Sequence, residues 1–236
     1  MLRSILSLLG GLFTFITMGF FGAALTIGAV FWMYGRDLPS HASLAQYKPP
    51  TISRIYSGEG KLIDEFARER RLFTAAEDIP IVIKQAFISA EDKNFYSHPG
   101  YDLRGIVAAA VDAARSRGRK MRGASTITQQ VMKNFLLDGS RRAERKIKEI
   151  ILATRIERTL DKEKILELYL NEIFLGQNSF GVTAAAQTYF NKTLGELAPH
   201  EAAFLASLPK APSDFHPVRR KKRLLQRRNY VLREMW

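Results

Sequence analysis

Ile79-Pro-Ile-Val-Ile-Lys-Gln-Ala-Phe-Ile-Ser-Ala-Glu91-Asp-Lys-Asn-Phe95-Tyr-Ser-His98-Pro-Gly100 is the stretch on which the reading of this chain turns. Pro80 sits where a first helical turn tolerates it, and Val82, Ile83, Ala86, Phe87 and Ala90 recur at spacings of three and four. The pattern predicts a helix that ends between Glu91 and Asn94, ahead of Pro99-Gly100. A carboxylate at an apolar helix end meets the negative pole of the helix dipole and partial burial, and both raise its pKa. That suits Glu91 to general-base work. The plainer alternative is that Glu91 and Asp92 turn the chain toward solvent.

Downstream the pattern stays helical. Residues 103–117 form an Ala-rich helical stretch, 118–123 a basic loop and 125–137 a third helix. Ser140 is placed to cap a long helix with Ala143, Ile147, Ile150, Ile151 and Thr154 on one face. Asp161 caps the next, through Ile165, Leu168 and Tyr169, and after a turn at 176–181 two more follow at 182–190 and 199–208. No internal repeat is evident. The fold class is mostly α.

Upstream, residues 4–35 hold 32 consecutive positions without a charge, more than the ~20 needed to cross a bilayer core. They end in the aromatic belt Phe31-Trp32-Met33-Tyr34, without the small-residue site that cleavage needs, so residues 1–35 read as an uncleaved transmembrane anchor. Arg3 and the terminal amine favour a cytoplasmic N-terminus and an external domain. Pro39, Pro49 and Pro50 mark 36–51 as a linker. Ile52, Arg54 and Tyr56, then Leu62, Asp64 and Phe66, alternate on either side of Ser57-Gly58-Glu59-Gly60, a short β-hairpin. It opens a single domain over 52–236.

The 236 residues are 46% hydrophobic and 25% charged, the composition of a folded domain. With no cysteine, disulfides, thiolate nucleophiles and Cys-based zinc sites are excluded. The net charge of +13 is uneven, since 17 of the 36 Lys and Arg fall in the runs 115–122, 141–148 and 219–228. Such a surface attracts polyanions. The anchor makes lipid headgroups and lipid-linked phosphate its nearest partners and argues against nucleic acid.

Two further clusters carry polar chemistry. Arg145, Lys146 and Glu149 share a helix face, either as an intrahelical ion pair or, because Arg141, Arg142 and Lys148 add surplus cation, as a site for an anionic group. Gly123-Ala-Ser-Thr-Ile-Thr-Gln-Gln130 brings hydroxyls and amides to a helix start, either a cradle for phosphate or sugar oxygens or simply a polar helix N-terminus. Ser207-Leu-Pro-Lys210 matches the S-x-x-K of serine transpeptidases, but Pro209 ends the helix that motif needs, and neither S-D-N nor K-T-G occurs. The four His lack the spacing of an H-E-x-x-H metal site.

In order along the chain, Glu91 to Gly100, Gly123 to Gln130 with Lys133 and Asn134, Arg145-Lys-Ile-Lys-Glu149, Ile165 to Asn171 and on to Gly181, and Glu201 to Pro212 together resemble the five motifs of glycosyltransferase family 51. This is the peptidoglycan polymerase domain of class A penicillin-binding proteins and monofunctional transglycosylases. The hairpin is more similar to that of bifunctional members of the 1A type, which carry a transpeptidase domain absent from this chain. The resemblance implies a lysozyme-like glycosyltransferase fold at the outer, periplasmic face of the bacterial inner membrane. It also implies polymerisation of lipid II into β-1,4 glycan strands with release of undecaprenyl pyrophosphate, with lipid II, the growing strand, membrane lipids and other cell-wall synthesis proteins as partners.

By motif transfer the resemblance makes Glu91 the base and gives Glu149 the second catalytic place, orienting cations or holding a metal beside the leaving pyrophosphate. Lys133, Arg145 and Lys146 would supply positive charge there. Ser125, Thr126, Gln129 and Gln130 would bind sugar or phosphate oxygens, and Asp92, Phe95 and His98 would shape the acceptor side, His98 being equally a satisfied structural histidine. Asn171 joins the substrate-binding set. The resemblance fixes no cofactor and leaves metal dependence open, with Mg2+ or Mn2+ as the candidate divalent ion. Residues 101–122 are expected to dip into the bilayer and guide the lipid, unless they pack in the core. The competing readings are a lysozyme-like muramidase, which needs a protonated acid rather than a cationic pyrophosphate site, and a non-catalytic basic scaffold at the membrane.

Overall fold

The helix expected from the opening stretch forms as α2, Ile81–Glu91, with Pro80 at its N-cap and Asp92 closing it. Ile83, Ala86 and Phe87 on its inner face are completely buried, and Val82 and Ala90 pack at the margin of the same core. The computed structural model describes residues 2–36, 38, 53–66, 70–116, 123, 125–137, 142–210, 215 and 219–236. The basic loop at 117–122, the cap at Ser140 and most of the linker lie outside the described residues.

Nine α-helices occur among the described residues. The first, α1, is Leu2–Gly35, about 51 Å long at 1.5 Å per residue. Its segment Gly10–Gly35 is long and apolar enough to cross a membrane. Phe15 and Leu25 are 78% and 77% exposed, with little cover from the described residues. The end of α1 rests on the helix α5, Arg142–Ile156, where Arg155 Nη2 donates to the carbonyl of Gly35 at 2.9 Å.

The hairpin forms between β1, Ser53–Tyr56, and β2, Leu62–Phe66, antiparallel with Ser53 opposite Phe66 and an irregularity between Ile55 and Tyr56. Ser57 Oγ accepts from the amides of Glu59 and Lys61 and closes the turn. The chain then makes a two-residue strand, β3, Arg70–Arg71, parallel to the later β4, Ser179–Phe180. Neither strand is long enough to leave a period in the sequence.

The remaining helices are α3, Leu103–Arg115, α4, Ile127–Leu136, α6, Lys162–Glu172, α7, Val182–Phe190, α8, Pro199–Leu205, and α9, Lys221–Met235. Asp161 caps α6 as its sequence position suggests, accepting from the Lys164 amide at 2.7 Å. α4 packs on α5 and α6, while α2 packs on α8 and α9. Phe87, Phe95, Ile127, Met132, Leu152, Ile156, Ile165 and Tyr169 fill the space between them. α3 buries none of its residues. It stands apart from this core.

The loop that leaves α2 is seated by two close approaches. Gly100 has φ +93°, and a Cβ there would lie 2.6 Å from the Ala153 carbonyl of α5. Only glycine lets this loop lie on the α5 backbone. Thr126 Oγ1 donates to the Gly100 carbonyl at 2.7 Å, tying the start of α4 to the same point.

Candidate active site

The C-terminus of α2, the N-terminus of α4, the first half of α5 and the inner face of α9 surround a cleft of about 920 Å3. Its walls carry seven cationic side chains, Lys93, Arg104, Lys133, Arg145, Lys146, Lys210 and Arg227, against four acidic ones, Glu91, Asp92, Asp102 and Glu149. Lys133, Arg104 and Lys210 have no acidic partner among the described residues. Unpaired cations converging on one cavity favour a ligand with several negative charges.

At one side lies Glu91, the last residue of α2, with its side chain 13% exposed. Its Oε2 accepts from Gln130 Nε2 of α4 at 3.1 Å, and its Oε1 is 3.5 Å from Arg227 Nη2 of α9. Burial pushes the Glu91 carboxyl above the ordinary value of 4.5, against the opposing pull of Gln130, Arg227 and Lys210, with Asp92 adding a smaller upward push. A partly desolvated carboxylate with an elevated pKa and access to a cavity has the properties of a general base.

At the other side, Lys146 is a hub between helices. Its ammonium donates to Ser125 Oγ at 2.8 Å, Gln129 Oε1 at 2.8 Å and Glu149 Oε2 at 3.0 Å. Arg145 Nε lies 3.5 Å from the other oxygen of Glu149, which is buried to 6% exposure. Both oxygens of Glu149 are thus engaged by cations of its own helix. No group of three His, Asp or Glu positioned to hold a metal occurs among the described residues. A single carboxylate already shared by two cations does not fit a divalent ion, so Glu149 matches the orienting role rather than the metal-holding one.

The start of α4 is organised from within. Thr126 Oγ1 accepts from the Gln129 amide at 3.2 Å, and Gln129 Oε1 from the Thr126 amide at 3.4 Å, a reciprocal capping box. Thr126 and Gln129 are therefore largely consumed in structure, although Gln129 Nε2 is buried without a hydrogen-bond partner among the described residues. Ser125, Gln130 and Lys133 face the cleft more openly.

The model of the family described as Transglycosylase matches residues 59–236. The chain belongs to the transglycosylase family. Penicillin-binding protein 1A of Rickettsia felis is 53% identical to it over 209 residues, covering 88% of this chain and 26% of that protein. Penicillin-binding protein 1A of Neisseria gonorrhoeae is 46% identical over 237 residues, covering 100% of this chain and 29% of that protein. The chain thus spans between a quarter and a third of the length of these relatives. A crystal structure of Penicillin-binding protein 1A from Haemophilus influenzae is 31% identical and covers 80% of this chain and 18% of that one, with a TM-score of 0.43.

Within this transglycosylase chain, three residues expected at the substrate do not border the cleft. Phe95 is completely buried, edge-on to Tyr96 and His98 and beneath the ammonium of Lys162 at 4.6 Å. Its ring belongs to the core because burial of an aromatic side chain outweighs any contact it makes at a wet rim. His98 accepts from the Gly100 amide at Nδ1, so its Nε2 carries the proton and donates to Asp92 Oδ2 at 2.9 Å. Both ring nitrogens are thus satisfied within the protein. Asp92 Oδ2 also accepts from the Ile127 amide at 2.9 Å, joining the end of α2 to the start of α4 while still edging the cleft.

The third is Asn171, whose amide exchanges two bonds with the backbone of Thr74, at 2.8 and 2.9 Å, and donates to the Glu167 carbonyl. It staples the incoming chain to α6, with both amide hydrogens taken by backbone carbonyls. Conversely, the transglycosylase cleft includes Lys210, Arg227, Arg104 and Tyr230, which sequence reasoning passed over. Lys210 was visible only inside the tetrad Ser207-Leu-Pro-Lys210. Ser207 itself is buried, donating to the Ala203 carbonyl, whereas Lys210 borders the cavity. Arg227 sits three residues after Leu224 and four before Val231, both buried, a periodicity that places it on the inner face of α9.

Proposed function

We propose that this chain is a membrane-anchored peptidoglycan glycosyltransferase domain that polymerises lipid II into β-1,4 glycan strands at the periplasmic face of the inner membrane. The observation that carries this reading is the division of one cleft into a buried carboxylate side and a cation-rich side. A polymerase of lipid-pyrophosphate donors needs both, whereas a muramidase has no use for the second.

In the proposed reaction the 4-hydroxyl oxygen of the lipid II GlcNAc attacks the anomeric carbon of the donor strand from the face opposite the pyrophosphate. The C1–O bond to pyrophosphate breaks as the O4–C1 bond forms, and the configuration changes from α to β. Glu91 takes the hydroxyl proton. Its elevated pKa makes the ionised form a stronger proton acceptor. Pyrophosphate departs with its negative charge stabilised by Lys133, Arg145 and Lys146, and the buried Glu149 keeps Lys146 and Arg145 in place. Ser125, Gln129 and Gln130 offer donors to sugar and phosphate oxygens, while Thr126, its hydroxyl given to Gly100, holds the start of α4 in place.

α3 fits the entry of the lipid. Leu103, Val107 and Val111, at spacings of four, are 63%, 55% and 41% exposed on one face, and Arg104 borders the cleft. The exposed face supports seating in the bilayer interface, with α1 as the anchor.

Purified full chain in vesicles, given lipid II, is expected to produce long glycan strands. Cutting of preformed glycan without strand growth would sink this reading.

A further inference from the structure

We propose that Arg227 is the positioning residue of the base: its guanidinium caps the helix that ends in Glu91 and sets the direction in which that carboxylate faces. The proposal rests on Glu91 being the base of the reaction described above.

α9 crosses the C-terminal end of α2 and packs along both α2 and α8. Arg227 Nη2 donates to the Ala90 carbonyl at 2.9 Å, one of the last carbonyls of α2 and without an intrahelical partner. The same nitrogen lies 3.5 Å from Glu91 Oε1. The guanidinium is itself set over the Tyr230 ring, 5.0 Å from its centroid, and only 15% of the side chain is exposed. Because Gln130 holds Oε2 from α4, the two oxygens of Glu91 are gripped from two helices, one by a neutral amide and one by a cation. A second tie, between Lys93 and Glu234, joins the same two regions of chain.

Both contacts are made by Nη2, whose two hydrogens are fixed in the plane of a guanidinium set over the Tyr230 ring, and an ammonium at the same place would keep the charge but lose that fixed plane. The charged and titratable groups facing Glu91 are Asp92 beside it, Tyr169 from α6, Lys210 from the segment after α8, and Arg227. Arg227 is the one of these in an ion pair with it. Its charge also offsets the negative pole of α2. Two functions follow, and they separate experimentally: charge favours the ionised form of Glu91, and the fixed guanidinium plane keeps it aimed.

The test is lipid II polymerisation by the full chain in detergent, as a pH series, for wild type, Arg227→Gln and Arg227→Lys, with thermal melting of each. Arg227→Gln is expected to move the acidic limb of kcat/KM upward by about one pH unit. It should also lower plateau kcat roughly tenfold or more with KM nearly unchanged. Arg227→Lys is expected to restore the limb but not the plateau. A wild-type limb and plateau in Arg227→Gln would overturn the proposal, as would a loss of activity that tracks melting with the limb unmoved. Should Arg227→Gln fail to fold, Arg227→Lys decides alone: a lowered plateau at unchanged KM upholds the positioning role and a wild-type plateau overturns it. Glu91→Gln separates the two levels. If it still polymerises, the base assignment falls; if it is dead while Arg227→Gln is normal, only the positioning role falls.

Discussion

The two buried glutamates of the cleft show how one residue type is put to opposite uses. Glu149 sits within α5 and meets Arg145 and Lys146 at spacings of four and three, so its partners are supplied by its own helix and its charge is spent on holding them. Glu91 sits at the end of α2, whose one cation, Lys84, pairs with Glu163 instead, and its partners come from α4 and α9. Burial dominates its environment and raises its pKa. A carboxylate neutralised at close range orients cations, while one left partly desolvated stays basic enough to take a proton.

The strongest way to break this contrast is Glu91→Gln, which keeps shape and hydrogen bonding but cannot accept the proton. Polymerisation, read as glycan strand length on gels, is expected to fall by about 10²- to 10⁴-fold. Residual activity near wild type would leave the two glutamates indistinguishable. Glu149→Gln should cost less, roughly 10²-fold in kcat, because Lys146 retains Ser125 and Gln129 as partners while losing its charge partner. A loss equal to that of Glu91→Gln would mean that Glu149 does more than orient.

A stability experiment sharpens the same contrast. Since Glu91 has a folded pKa above its unfolded one, the folded state binds more protons between the two, and stability falls as pH rises through that window. Glu91→Gln is therefore expected to melt a few degrees higher than wild type at neutral pH, with the difference vanishing below about pH 4.5, the ordinary value. Equal melting temperatures at every pH would show that burial places no load on Glu91. The smallest effect on activity is expected for Asn171→Ala. Losing the staple to Thr74 should cost about 1–3 kcal/mol of stability, seen as a lower melting temperature, while polymerisation below that temperature stays within about twofold. A selective loss of activity would return Asn171 to the substrate.

Most of the helices were legible because their signals are local. The apolar period of α2, the Asp161 cap of α6 and the polar start of α4 at 123–130 each lie within a few residues of one another. The β3–β4 pairing joins residues 70–71 to 179–180 and left no local trace. The site divides in the same way. Arg145, Lys146 and Glu149 were legible as a unit because helix geometry alone brings them together. The roles of Phe95, His98 and Asn171 were not, because whether a polar or aromatic residue faces a cavity or the core depends on packing by distant segments. Asn171 and Thr74, for instance, are 97 positions apart.

The sequence by itself determined the mostly helical class, the span of an N-terminal membrane-length helix, the cationic excess and the candidacy of Glu91 at an apolar helix end. All of these are set by composition and by contacts between near neighbours. Only the tertiary structure decided that α9 returns Arg227 to the end of α2, that Lys146 bridges two helices, and that His98 and Asn171 are spoken for. Burial and cross-chain hydrogen bonds exist only once distant segments have packed, and they settle which of several polar side chains keeps a free donor, a free charge or a raised pKa.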